Sequence, residues 1–184
     1  LYPGIPIFHS RDLAHWEQIG NALTVENEVY VRANSYTGGI MAPTIRYHKG
    51  LFYIIVMNFS INQNMLLTAE HPSGPWSKPI ILSDVPGIDA SLFFDEDDKV
   101  YVIGTTEEAG KRYLYLNEFD LVGMSCVGKR HLIWDSALQN ASAPEAPHIY
   151  KKDGYYYLII AEGGTEFFHA VTVARSRTID GWYE

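Results

Sequence analysis

Short stretches of alternating or continuous apolar residues run along the whole chain, separated by polar breaks that contain Gly, Asp or Asn. Leu51 to Val56, Val100 to Gly104 and Tyr155 to Ala161 are dense in aromatic and β-branched residues, which suit a pleated surface, so each is predicted to be a strand. Met65 to Ala69 and Val171 to Ser176 read the same way, each followed by turn residues and then by Trp76 or Trp182. The opening Ile5 to Ser10, followed by Asp12 and Trp16, has the same form. Over most of the chain no apolar stripe of 3.6-residue period lasts the roughly 10–12 residues that a helix needs. The pattern predicts a nearly all-β chain.

The strands recur in a fixed order. The segment from Ala42, Ala-Pro-Thr-Ile-Arg-Tyr-His-Lys-Gly-Leu-Phe-Tyr, aligns without a gap on the one from Ala146, Ala-Pro-His-Ile-Tyr-Lys-Lys-Asp-Gly-Tyr-Tyr-Tyr. A third copy starts at Ala90 as Ala-Ser-Leu-Phe-Phe-Asp-Glu-Asp-Asp-Lys-Val-Tyr, with Asp98 at the turn position held by Gly50 and Gly154. Each copy reads as a β-hairpin, and hairpins repeated about every 40–50 residues are the signature of a β-propeller with one blade per repeat. Residues 1 to about 20 are predicted to be the end of one blade, with further blades over 38–80, 87–135 and 144–184. About three blades and part of another do not close a ring of the usual 4–8 or so. Leu1 opens directly into strand-like sequence, so further chain upstream is expected.

Composition narrows the partners. The formal net charge of −8 disfavours nucleic acid and anionic membrane, both of which the average field would repel. No apolar run approaches the roughly 20 residues needed to cross a bilayer, and the first residues show no basic segment followed by an apolar stretch. A neutral substrate fits better. Cys126 is the single cysteine and reads as a small buried hydrophobe. The seven histidines show no metal-ligand spacing, the glycines lack the setting of a phosphate loop, and no cofactor is expected. Asn58-Phe59-Ser60 and Asn140-Ala141-Ser142 match the glycosylation acceptor pattern, which matters only in a secretory host.

The candidate chemistry lies just ahead of each repeat. Met41, Asp89 and Glu145 hold equivalent positions at the heads of their hairpins, so in a propeller their side chains are expected to converge near one end of the central channel. A pair of carboxylates in a concave, poorly solvated place can divide the work of cleaving a glycosidic bond, one protonating the leaving oxygen while another stays ionised. Prolines at 144 and 147 restrict the backbone around Glu145, which suits a positioned acid. For any single carboxylate at a strand start, a solvated end or a turn cap is the commoner role, and the coincidence of two at one repeat position weakens that reading. The run Asp95 to Asp98 reads as a solvated hairpin tip, and Gly163-Gly164 as a place where backbone approaches a ligand or a neighbouring blade.

Several segments together resemble glycoside hydrolase family 43, the β-xylosidase and α-L-arabinofuranosidase group. They are Tyr2-Pro3-Gly4-Ile5-Pro6-Ile7-Phe8-His9-Ser10-Arg11-Asp12-Leu13 with Trp16-Glu17, Gly38 to Thr44, Gly87 to Asp95, and Glu145-Ala146-Pro147-His148 leading to Ala161-Glu162-Gly163-Gly164-Thr165-Glu166. The resemblance implies a five-bladed β-propeller and an inverting hydrolase with three acids. By motif, Asp89 matches the acid that tunes a pKa and orients the sugar, and Glu145 matches the general acid. The general base belongs to a Pro-Asp-Pro type motif expected upstream of Leu1, and nothing in this chain replaces it. Met41 stands where xylosidases often carry Trp, and Ala90 where Pro is frequent. Met41, Ile88 and Thr165 are the candidate sugar-lining residues, although Met41 and Ile88 also fit a plain core role. The expected partner is a xylo- or arabino-oligosaccharide. Two alternatives stay open: an inactive or carbohydrate-binding propeller, and a retaining propeller of the fructosidase kind.

Overall fold

The structure is a computed structural model that describes residues 4–24, 38–135, 143–165 and 167–184. Every regular element among them is a strand. They are β1 Pro6–His9, β2 Glu17–Asn21, β3 Ile40–His48, β4 Leu51–Asn58, β5 Gln63–Ala69, β6 Ile80–Leu82, β7 Ile88–Phe94, β8 Val100–Glu108, β9 Lys111–Asp120, β10 Ser125–Trp134, β11 Glu145–Lys152, β12 Tyr155–Glu162 and β13 Ala170–Ser176. Among the described residues they form four sheets of consecutive strands, β1-β2, β3-β4-β5-β6, β7-β8-β9-β10 and β11-β12-β13. Neighbour follows neighbour along the chain, most closely where two residues join β3 to β4, β8 to β9 and β11 to β12.

Turn chemistry fixes the registers. Lys49-Gly50, Ala109-Gly110 and Asp153-Gly154 each place two successive residues at positive φ, which matches strand twist in a two-residue hairpin. The connection from β7 to β8 is longer, because no glycine stands there to take the second left-handed position. Asp95 to Lys99 fill it, Asp98 alone takes φ 66°, and the Asp95 N–H donates to the Lys99 carbonyl at 2.9 Å.

The chain forms two compact units, Leu1–Ile81 and Leu82–Glu184. In the first, Ile5, Ile7, Ala22 and Leu23 pack with Ile54, Val56, Met65, Leu67 and Trp76. In the second, Phe93, Tyr101, Ile103, Leu114 and Leu116 pack with Ile149, Leu158, Ile160, Ile179 and Tyr183, so the β7–β10 and β11–β13 sheets share one core.

A polar clamp joins these two sheets. Asp95 is buried, and its carboxylate accepts from Lys151 Nζ at 2.7 Å and from the Tyr156 hydroxyl at 2.6 Å. The expectation of a solvated tip therefore fails at Asp95, because β11 and β12 bring a cation and a phenol over it. Burial pushes the Asp95 carboxyl up, but Lys151, Tyr156 and the Glu96 N–H outweigh it and hold the group below its ordinary range.

Candidate active site

The heads of β3, β7 and β11 share one distortion. Three residues on the first strand advance against two on its partner, between Met41 and Thr44, between Ile88 and Ser91, and between Glu145 and His148. Each is a bulge with one extra residue, and each contains a left-handed residue: Ala42 at φ 52°, Asp89 at 55° and Ala146 at 50°. Proline explains the placement in two of them. Pro43 and Pro147 have no N–H for the ladder and sit in the unpaired stretch, whereas Ser91, aligned with them, pairs with Ile103. Without a proline the middle bulge starts one residue earlier, so the left-handed turn falls on Asp89 itself. The three positions are equivalent in sequence, yet the middle one differs in backbone by a single step.

Close packing fixes the entry to β7. A Cβ on Gly87, at φ 72°, would overlap the Thr105 carbonyl oxygen, so Gly87 lies directly on β8. The buried Tyr115 donates its hydroxyl to the Pro86 carbonyl at 2.9 Å. Ser91 Oγ then donates to the Pro147 carbonyl at 2.6 Å, and the Ala146 N–H donates to Asp89 Oδ2 at 3.2 Å. These two bonds tie the bulge of β7 to the bulge of β11 and bring the carboxyl of Asp89 beside the residue that follows Glu145.

Both carboxyls are raised. Burial is the main cause for Asp89, opposed by the Ala146 N–H and by the charge of Arg112. Burial is also the main cause for Glu145, opposed by Arg112, reinforced by the negative charge of Asp89 and opposed again by His169. Arg112, on β9, donates from a terminal guanidinium nitrogen to Glu145 Oε1. Its Nε lies 3.6 Å from Glu107, directly across the hairpin. The site therefore holds two half-buried acids and a cation, with an imidazole near enough to be felt.

Arg112, Glu107 and His169 were not anticipated. The apolar run predicts a strand that ends at Gly104, but β8 continues to Glu108 because Ala109-Gly110 turns the chain tightly enough to pair Glu107 with Arg112. The charged run Glu-Glu-Ala-Gly-Lys-Arg was the available signal. His169 follows the loop after β12; its Nδ1 donates to the Gly164 carbonyl at 2.6 Å, which fixes the protonated nitrogen.

The remaining candidates are placed as follows. Ile88 is half-buried and opposite Thr105 on β8. Thr165 is exposed just after Gly163-Gly164. Gly163 is crowded by the carbonyl of Phe168, so the loop's own backbone takes the close approach there. Glu162 is buried before it and accepts from the Trp134 indole and the Thr172 hydroxyl, anchoring the end of β12. Met41 lies in the first unit, exposed, opposite Met57. Tyr2, Pro3, Glu166 and the Asn140-Ala141-Ser142 pattern lie outside the described residues. Among the described residues no group of three or more His, Cys, Asp or Glu side chains is placed to hold a metal ion, and no helix is long and apolar enough to cross a membrane.

The sequence model of the glycosyl hydrolases family 43 matches residues 1–184. The chain belongs to that family. Among curated relatives, a xylosidase/arabinosidase of Butyrivibrio fibrisolvens is 50% identical over 190 residues, covering 99% of this chain and 37% of that protein. Among solved structures, a xylan β-1,4-xylosidase from Bacillus halodurans superposes with a TM-score of 0.89 at 39% identity, covering 100% of this chain and 37% of that one. A GH43_12 protein retrieved from capybara gut metagenome gives a TM-score of 0.92 at 36% identity, with 100% and 37% covered. The chain thus spans little more than a third of its relatives' length. Its all-β fold is that of a partial five-bladed β-propeller, as the sequence repeats and the family resemblance implied.

Proposed function

We propose that this chain carries the acid half of an inverting glycoside hydrolase acting on xylosidic or arabinofuranosidic bonds of xylo- or arabino-oligosaccharides. Glu145 is the general acid and Asp89 the residue that tunes it. The observation carrying this reading is the Asp89–Ala146 hydrogen bond, which sets two carboxyls that burial makes reluctant to ionise at one bulged junction. In the reaction, the protonated carboxyl of Glu145 gives its proton to the glycosidic oxygen as the bond to the anomeric carbon breaks and the electron pair leaves with that oxygen. Water attacks the anomeric carbon from the opposite face. Its proton goes to a carboxylate base, which belongs to the Pro-Asp-Pro type motif expected upstream of Leu1.

The electrostatics suit these roles. Burial and the neighbouring Asp89 charge keep Glu145 protonated to higher pH than an ordinary glutamic acid, while Arg112 leaves the product carboxylate tolerable. Ile88 and Thr165 are assigned to lining the sugar: an apolar surface and a hydroxyl. A substrate without charge is consistent with the net charge of −8.

Glu145→Gln in the full-length enzyme tests the assignment. Turnover of an oligosaccharide, whose leaving group needs a proton, falls by about 10²–10⁴-fold while binding is retained. Near-normal turnover would remove Glu145 from the role. The anomer released first, read by NMR, reports inversion; a retained configuration refutes the inverting mechanism.

A further inference from the structure

The guanidinium of Arg112 reaches Glu145 from a different sheet, and its other side is braced by Glu107 on the facing strand of its own hairpin. We propose that Arg112 is a positioning residue for Glu145, holding the carboxyl that gives up its proton and stabilising the carboxylate left after the transfer. The inference rests on Glu145 being the general acid. Among the described residues, the groups facing Glu145 are Asp89 from β7, Arg112 from β9 and His169 ahead of β13. Asp89 and Arg112 act in opposite senses, and Arg112 touches the carboxylate directly through its guanidinium.

The geometry separates this role from plain structural support. Arg112 has 40% of its side chain exposed and Glu145 24%, and an ion pair this open contributes little to folding. The planar guanidinium has directional donors, so it fixes where the carboxyl points as well as its charge. Proton transfer turns a neutral acid beside a cation into an ion pair, so the interaction strengthens as the reaction proceeds. Such a contact acts on kcat more than on KM.

The test uses Arg112→Met and Arg112→Lys in the full-length enzyme, with kcat and KM followed against pH. Two substrates are compared: xylobiose, whose leaving sugar needs protonation, and 4-nitrophenyl β-xyloside, whose leaving group does not. Removing the cation makes Glu145 harder to ionise, so the alkaline limb of the xylobiose profile moves to higher pH. Relative to the optimum, activity on that limb rises roughly 3- to 10-fold. The optimal kcat on xylobiose falls about tenfold from lost positioning, KM changes less than about twofold, and the aryl substrate is nearly unaffected. Arg112→Lys restores the position of the limb. Glu107→Gln, which frees the brace, gives a smaller fall in the optimal kcat on xylobiose. An unmoved limb in Arg112→Met, or equal losses on both substrates, overturns the proposal while leaving Glu145 as the acid. Full xylobiose turnover by Glu145→Gln instead overturns the acid assignment beneath it.

Discussion

Replacing Lys151 with Met probes the clamp that joins the two sheets of the second unit. Asp95 has 5% of its side chain exposed and Lys151 has 25%, at 2.7 Å. Removing one partner of a fully buried pair costs about 3–5 kcal/mol, because the other charge is left uncompensated. Here the cost is smaller, since Tyr156 and the Glu96 N–H still bond Asp95 and Lys151 is partly solvated. The second carboxylate on Lys151, Glu96 at 3.0 Å, is 82% exposed and adds little. The expected loss is about 2 kcal/mol, or roughly 4–8 °C in Tm for a chain of this size. Urea unfolding at neutral pH measures it.

The same variant carries a pH signature. The Asp95 carboxyl is held below its ordinary 3.8 in the folded protein, so the stability it contributes is complete above that value and is lost as pH falls through the folded-state pKa. Lys151→Met removes part of that depression. The gap between wild type and variant should therefore be widest at neutral pH and shrink in acid. A gap below about 0.5 kcal/mol at neutral pH, or one that stays constant into acid, refutes the account.

Three further outcomes are expected. Asp89→Asn removes the negative charge that raises Glu145, so the alkaline limb of the pH–rate profile moves to lower pH and turnover drops; a limb moving upward contradicts the assigned coupling. Gly87→Ala forces a Cβ into the Thr105 carbonyl at a left-handed φ of 72° and costs about 3 kcal/mol or more by thermal unfolding, whereas a loss under about 1 kcal/mol would mean that the entry to β7 yields easily. Cys126, whose thiol is pushed up to about 11 by burial and then by Asp84, reacts with iodoacetamide near pH 8 at least about tenfold more slowly than a free thiol; an ordinary rate would contradict its burial.

What the sequence revealed was whatever rests on local pattern. Aromatic and β-branched runs marked β4 and β12, and Lys49-Gly50 and Asp153-Gly154 marked their turns, because both depend on a few adjacent residues. Aligning the repeats also singled out Asp89 and Glu145, which the fold joins through Ala146. The unanticipated contacts depend on how sheets pack on one another. Arg112 reaches Glu145 only because a tight turn at 109–110 extends β8 by several residues beyond the apolar run that signalled it. Asp95 looked like one more charge at a tip, since nothing in its own segment announces Lys151 and Tyr156 from the adjacent sheet. The one-step offset of the middle bulge was present in the sequence as Ser91 in place of proline, but its effect appears only when the ladder is drawn.

The added residue at the start of β11 acts as a rotational setting. Strand side chains alternate between faces, so a homologue with one residue fewer between Glu145 and His148 could pair there without interruption and turn its glutamate to the reverse side of the sheet. Such a deletion would spare the core while removing the carboxyl from Asp89 and Arg112. Loss of activity within this architecture can thus arise from a change in chain length that leaves every acidic residue in place.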